Sequence, residues 1–75
     1  MGANTEQDHL LTVKEVAEIL RLSRRQVFRL DNAARIPRAL RIGRAVRWST
    51  QQIHDWLAVG APDRRTWESI KGVQL

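Results

Sequence analysis

Two capping boxes, Thr12-x-x-Glu15 and Ser23-x-x-Gln26, stand eleven residues apart and constrain the fold of this 75-residue chain more than any other feature. In such a box the Ser or Thr oxygen accepts from the backbone N–H three residues on, while the Glu or Gln side chain accepts from the N–H of the cap. Each box therefore marks the first turn of a helix. After the first, Val13, Val16, Ala17 and Leu20 fall at the i, i+3, i+4, i+7 spacing of one buried face, with Lys14, Glu15, Glu18 and Arg21 on the other side. This predicts a helix over residues 13–20. The second box predicts a helix from Arg24 to Asn32 or Ala33, with Val27 and Leu30 on its inner face and Phe28 on the flank. Only Arg21 and Leu22 separate the two helices. So short a connection forces a steep crossing, the helix-turn-helix arrangement. Ala17 supplies a small side chain for the close approach of the two backbones.

Ile36-Pro37 then stops helical continuation, because the residue before proline is pushed toward extended backbone. Leu40-Arg41-Ile42 and Val46-Arg47-Trp48 alternate apolar and basic residues about Gly43-Arg44-Ala45, the pattern of a short β-hairpin. A period of two puts Leu40, Ile42, Val46 and Trp48 inward and Arg41 and Arg47 outward together, with Arg44 at the tip. A hairpin in this place is a wing. Ser49 and Gln52 form a third capping box, and Ile53, Trp56 and Leu57 are the buried stripe of a third helix running to about Val59. Gly60 and Pro62 are its stop signals. The fold class expected is mainly α with a small β-hairpin: a winged helix-turn-helix of three helices plus wing.

The expected organisation is a frayed lead over residues 1–9, the winged domain over 10–59 and a tail over 60–75. In the tail, Asp63 suits the cap of a short helical turn, and Trp67 and Ile70 are spaced to share a face. It either packs back on the domain or serves oligomer or partner contacts. The sequence leaves both open.

Charge is concentrated in the middle of the chain. Nine arginines and one acid, Asp31, lie between Arg21 and Trp48, a local net charge of +8; the residues before sum to −3, those after to zero, and the whole to +5. A local positive field is the electrostatic footprint of a nucleic-acid binder, although a solvated basic face would share it. Arg24 and Arg25 occupy the first two positions of the second helix, where positive charge opposes the macrodipole at a typical cost of about 0.3–1 kcal/mol each. Phosphates or guanine edges, which arginine meets with paired hydrogen bonds, would account for that placement. With Arg25, Gln26 and Arg29 form the outward face of this helix, Gln26 having a competing task in the cap. Arg41, Arg44 and Arg47 of the wing suit a minor groove or adjacent backbone, against the plainer reading of edge-strand protection. Arg35 and Arg38 suit phosphate contacts. Asp31 is expected to face away from such a surface.

Other chemistries lack their residues. There is no cysteine, so neither disulfides nor thiolate metal sites arise, and His9 and His54 are isolated from other ligands. Ser49, His54 and Asp55 do not make a triad, since Ser49 is a cap and the other two are neighbours that diverge on a helix. No Gly-rich phosphate loop or nucleophile elbow is present. The expectation is no enzyme, no cofactor, no metal and no small-molecule substrate. No apolar run approaches the ~18 residues of a membrane span and the first residues lack a signal-peptide pattern, so no membrane association and a cytoplasmic, DNA-associated location are expected.

LLTVKEVAEIL, LSRRQVFRL, IPRALRIGRAVRW and IHDWL, in that order from Leu10 to Leu57, resemble the small excisionase and AlpA-like winged helix-turn-helix proteins, relatives of the MerR-type DNA-binding domain. The resemblance implies that the helix beginning at Arg24 enters a major groove, with Ser23, Arg24, Arg25, Gln26 and Arg29 as its contacts, while the Arg44 loop meets the adjacent minor groove. It implies a recombination directionality factor of a phage or integrative element, which binds repeated attachment-site sequences in double-stranded DNA and bends them. Its partners would be an integrase and further copies of itself along the DNA. An AlpA-type transcriptional regulator and the DNA-recognition module of a packaging terminase are the alternatives. Two positions depart from the pattern: Arg21 and Ala34 stand where relatives usually carry glycine. Left-handed backbone at a non-glycine residue costs on the order of 1 kcal/mol.

Overall fold

The computed structural model describes residues 9–71. Residues 1–8 of the expected 1–9 lead and residues 72–75 of the tail lie outside the described residues. In chain order the elements are β1 (Leu10–Leu11), α1 (Val13–Leu20), α2 (Arg24–Asn32), β2 (Leu40–Ile42), β3 (Ala45–Ser49), α3 (Thr50–Ala58) and α4 (Arg64–Lys71). The winged helix-turn-helix is present, with β1 and α4 added to the expected three helices and hairpin.

The caps form as their residues dictate. Thr12 Oγ1 accepts from Glu15 N at 3.2 Å while Thr12 N donates to Glu15 Oε1 at 2.8 Å. Ser23 Oγ accepts from Gln26 N at 3.1 Å, and Ser23 N donates to Gln26 Oε1 at 2.9 Å. At the start of α3 one half of the expected box is present: Ser49 Oγ accepts from Gln52 N at 3.2 Å. At the other ends, Leu22 N donates to Ala17 O, Arg35 N to Leu30 O and Ala61 N to Trp56 O, each spanning five residues. This is the Schellman closure, which needs a left-handed residue just inside the donor. Those residues are Arg21 (φ 61°), Ala34 (φ 56°) and Gly60 (φ 97°). Two helices thus end on a strained non-glycine residue, and Ala34 does not extend α2.

Leu11, Val16 and Ala17, Val27, Trp48, Ile53 and Trp56, and Trp67 bring β1, α1, α2, β3, α3 and α4 to one core, with Ile36 from the loop after α2. Two indole N–H groups are satisfied on prolyl carbonyls: Trp48 Nε1 donates to Pro37 O at 3.0 Å and Trp56 Nε1 to Pro62 O at 2.7 Å. Leu57, expected in the buried stripe of α3, is exposed at its edge. Between the tail's two readings, α4 packs back: Asp63 Oδ1 accepts from Thr66 N at 3.1 Å to cap it, and Trp67 is 3% exposed. Ile70, expected to share Trp67's face, instead lies exposed.

The sheet has strand order β1-β3-β2, all antiparallel, with Leu11 opposite Trp48. In the wing Leu40 pairs with Arg47, Arg41 with Val46 and Ile42 with Ala45. The turn is therefore Gly43-Arg44 alone. Gly43 has φ +60° and Arg44 does not, the pattern of a type II′ turn with glycine first. The expected three-residue turn would have paired Arg41 with Arg47. Shortening it by one residue flips β2 relative to β3. Val46 and Trp48 face inward as expected, but Leu40 and Ile42 face out, 50% and 56% exposed, on the side of Arg47. Arg41 lies on the other side, with Val46. Arg41 and Arg47 do not point outward together.

Candidate nucleic-acid interface

The outward surface of α2 follows from its capping box. With Ser23 as cap and Val27 and Leu30 turned to the core, a rotation of roughly 100° per residue leaves Arg25 and Asn32 farthest from it, with Phe28 and then Arg24 on one side and Arg29 and then Gln26 on the other. All six are exposed. Among the described residues, no carboxylate stands within ion-pair distance of Arg24, Arg25 or Arg29. Arg24 and Arg25 sit in the first turn, where the helix dipole disfavours them, while Arg29 lies in the last turn, where it is favoured. Ser23 and Gln26 are engaged with each other in the cap, which fixes both at the surface. Ser23 Oγ keeps its hydroxyl proton and Gln26 its amide N–H groups for a ligand.

The wing presents its arginines separately. Arg44 is exposed at the tip and has no ion pair among the described residues. Arg41 Nη2 contacts Asp31 Oδ2 at 3.0 Å, and Arg47 Nη1 donates to Val46 O at 3.0 Å. Arg38 Nε pairs with Glu68 Oε2 at 3.2 Å, whereas Arg35 and Arg21 are exposed and have no such partner among the described residues. Of the nine central arginines, two therefore spend charge on carboxylates of the fold. Of the other seven, Arg24, Arg25 and Arg29 lie on α2, Arg21 and Arg35 on its flanking turns, Arg44 at the wing tip and Arg47 along β3.

Asp31, expected simply to face away, is a junction. Its Oδ1 takes Arg64 Nη2 at 2.9 Å while its Oδ2 takes Arg41, and its side chain is 9% exposed. Arg64 also donates from Nε to Ile36 O at 2.9 Å, and its backbone N–H donates to Ala34 O at 2.9 Å. Sequence reasoning did not find Arg64: its partners lie about thirty residues away, and no local pattern marks such a contact.

Two carboxyls are held below their ordinary values. Glu15 is lowered chiefly by the hydrogen bond from the Thr12 backbone, with the charges of His9 and Arg47 adding to it. Asp63 is lowered by its hydrogen bonds with the Thr66 side chain and backbone, assisted by Arg35 and Arg65. Both are capping residues of helices that frame the arginine surface. Among the described residues there is no group of three potential metal ligands and no helix long and apolar enough to cross a membrane.

Residues 10–58 match the family model described as a helix-turn-helix domain. Two proteins of Mycobacterium tuberculosis are 44% identical to this chain over 48 residues: "Putative DNA-binding protein MT0521" of strain CDC 1551 and "Putative DNA-binding protein Rv0500A" of strain H37Rv. The match covers 64% of this chain and 60% of each relative. No solved structure matches the chain.

Proposed function

Because this chain belongs to the helix-turn-helix domain family, we propose that it binds double-stranded DNA with α2 in a major groove and the Gly43-Arg44 turn against the neighbouring minor groove. The observation that carries this reading is the set of exposed Arg24, Arg25 and Arg29 on one short helix, with no carboxylate at hand among the described residues. Arginine forks match guanine O6 and N7 and phosphate oxygens alike. In this reading Arg25 and Arg29 reach base edges. Ser23, Arg24 and Gln26 hold the flanking backbone, Arg35 and Arg38 contact phosphates, and Arg44 enters the minor groove. Arg47 lines the outer face of the wing. Arg41 serves mainly to seat the wing on α2 through Asp31.

The finer role we propose is that of an excisionase, a recombination directionality factor that binds repeated sites beside an attachment sequence and bends them for an integrase. The resemblance over Leu10–Leu57 supports it. Gel shifts and footprinting on an attachment region test both levels. A ladder of complexes on directly repeated sites is expected. One two-fold-symmetric footprint would overturn the excisive role, and no binding to any duplex at low salt would overturn DNA binding itself.

A further inference from the structure

Phe28 is the one aromatic residue on α2, and it is 42% exposed. It belongs neither to the core nor to the partly buried side chains packed against it. Along the helix, Arg24 and Arg25 precede it by one turn and Asn32 follows by one turn, so an apolar ring stands within the polar surface assigned to DNA. Neither capping nor core packing explains it. The two neighbours of Val27 in sequence differ in this respect: Gln26 closes the cap, while Phe28 closes nothing.

The major groove offers one apolar group, the 5-methyl of thymine, beside the donors and acceptors that polar side chains read. We propose that Phe28 is a specificity-determining residue whose ring packs on a thymine methyl next to the base pair read by Arg25. The inference rests on the DNA-binding reading above and adds a base preference to it. A ring set between guanidinium groups selects a mixed step: guanine or phosphate for the arginines, thymine for Phe28. An alanine there would leave the methyl in water, and a polar side chain would favour other bases.

Sites selected by the wild-type domain from a random duplex pool supply the probe. Each thymine in the selected duplex is then replaced singly by uracil, which removes only the methyl group. The wild type is expected to lose about three- to tenfold in affinity at one thymine, the worth of one buried methyl group. Phe28→Ala should bind the thymine duplex more weakly by a similar factor and respond to uracil at no position. Phe28→Leu, which keeps an apolar side chain, should retain part of the discrimination; circular dichroism verifies that both variants fold. Wild-type indifference to uracil at every position overturns the proposal, as does a Phe28→Ala protein that still distinguishes thymine from uracil. Binding that depends on Arg25 but is blind to the methyl sinks this inference alone, whereas absence of duplex binding sinks the reading beneath it.

Discussion

Arg64 Nη2 lies 2.9 Å from Asp31 Oδ1, joining α4 to the last turn of α2 across 33 residues of sequence. The same carboxylate holds Arg41 of β2 through its other oxygen at 3.0 Å. One side chain therefore positions the wing and the C-terminal helix against the helix that carries the exposed arginines. The two halves of this junction differ in environment: Arg64 is 15% exposed and Arg41 60%. Their energetic worth should differ accordingly.

Asp31→Ala leaves the Arg64 guanidinium largely buried without its carboxylate, which costs about 2–4 kcal/mol, toward the low end of what breaking a buried pair costs. A core of this size supplies only about 3–5 kcal/mol in all. Arg41→Ala removes a solvent-screened pair worth under about 1 kcal/mol. Urea denaturation at neutral pH should show Asp31→Ala close to unfolded in water and Arg41→Ala near the wild type. Equal losses would mean that Arg64 does not dominate the junction.

Ala34→Gly should stabilise. Left-handed backbone costs an L-residue with Cβ about 1–2 kcal/mol, and glycine returns about 0.4–1 kcal/mol of that through its freer unfolded chain. The net gain is about 0.5–1 kcal/mol, and Arg21→Gly should gain likewise at φ 61°. Melting temperatures of the two variants check this, and a loss at Ala34 would show that its methyl group packs usefully.

How much of this was legible in the chain follows from the range of the interactions. Thr12, Ser23 and Ser49 act on backbone three residues away, and all three helix starts follow from them. The wing existed in the alternation, but its register did not: Leu40-Arg41-Ile42 and Ala45-Val46-Arg47-Trp48 alternate equally well around a turn of two residues or three. The pairing of Ile42 with Ala45 across a two-residue turn decides, and it leaves Leu40 and Ile42 in solvent. β1 is two residues long, too short for any periodicity. The carboxylate of Asp31 was readable as a charge on α2, yet its partners come from β2 and α4. On the candidate surface, Arg24, Arg25, Arg29 and Arg44 are exposed where helical and hairpin spacing put them. Arg41 is not presented as expected, for the same one-residue reason.

Acid should destabilise the domain through its caps. Glu15 and Asp63 have folded-state values lowered from about 4.5 and 3.8, respectively. A carboxyl with a depressed folded value contributes its full stability above the unfolded value and loses it as pH falls through the folded one. Melting temperature should thus be level from neutral pH down to about 5 and fall below about 4.5. Glu15→Gln should show a shallower acid decline than the wild type. A wild-type profile that stays level to pH 3 would mean that the caps do not bind their protons differently in the two states.

The arginines should separate by what each already holds. Arg25 has no carboxylate partner among the described residues. Its replacement by alanine should therefore cost about 1–3 kcal/mol of DNA affinity and relax the preference at one base pair. Arg44→Ala, which removes the arginine proposed for the minor groove, should weaken binding with a smaller change in sequence preference than Arg25→Ala and lower the slope of log affinity against log salt. Arg41 lies on the inward side of the wing with its guanidinium on Asp31. Its alanine variant should bind within about twofold of the wild type, the range of an ordinary surface substitution. Titrations at several salt concentrations distinguish the three. A large, sequence-dependent loss at Arg41 would mean that the ion pair opens on DNA and that the wing approaches by its other face.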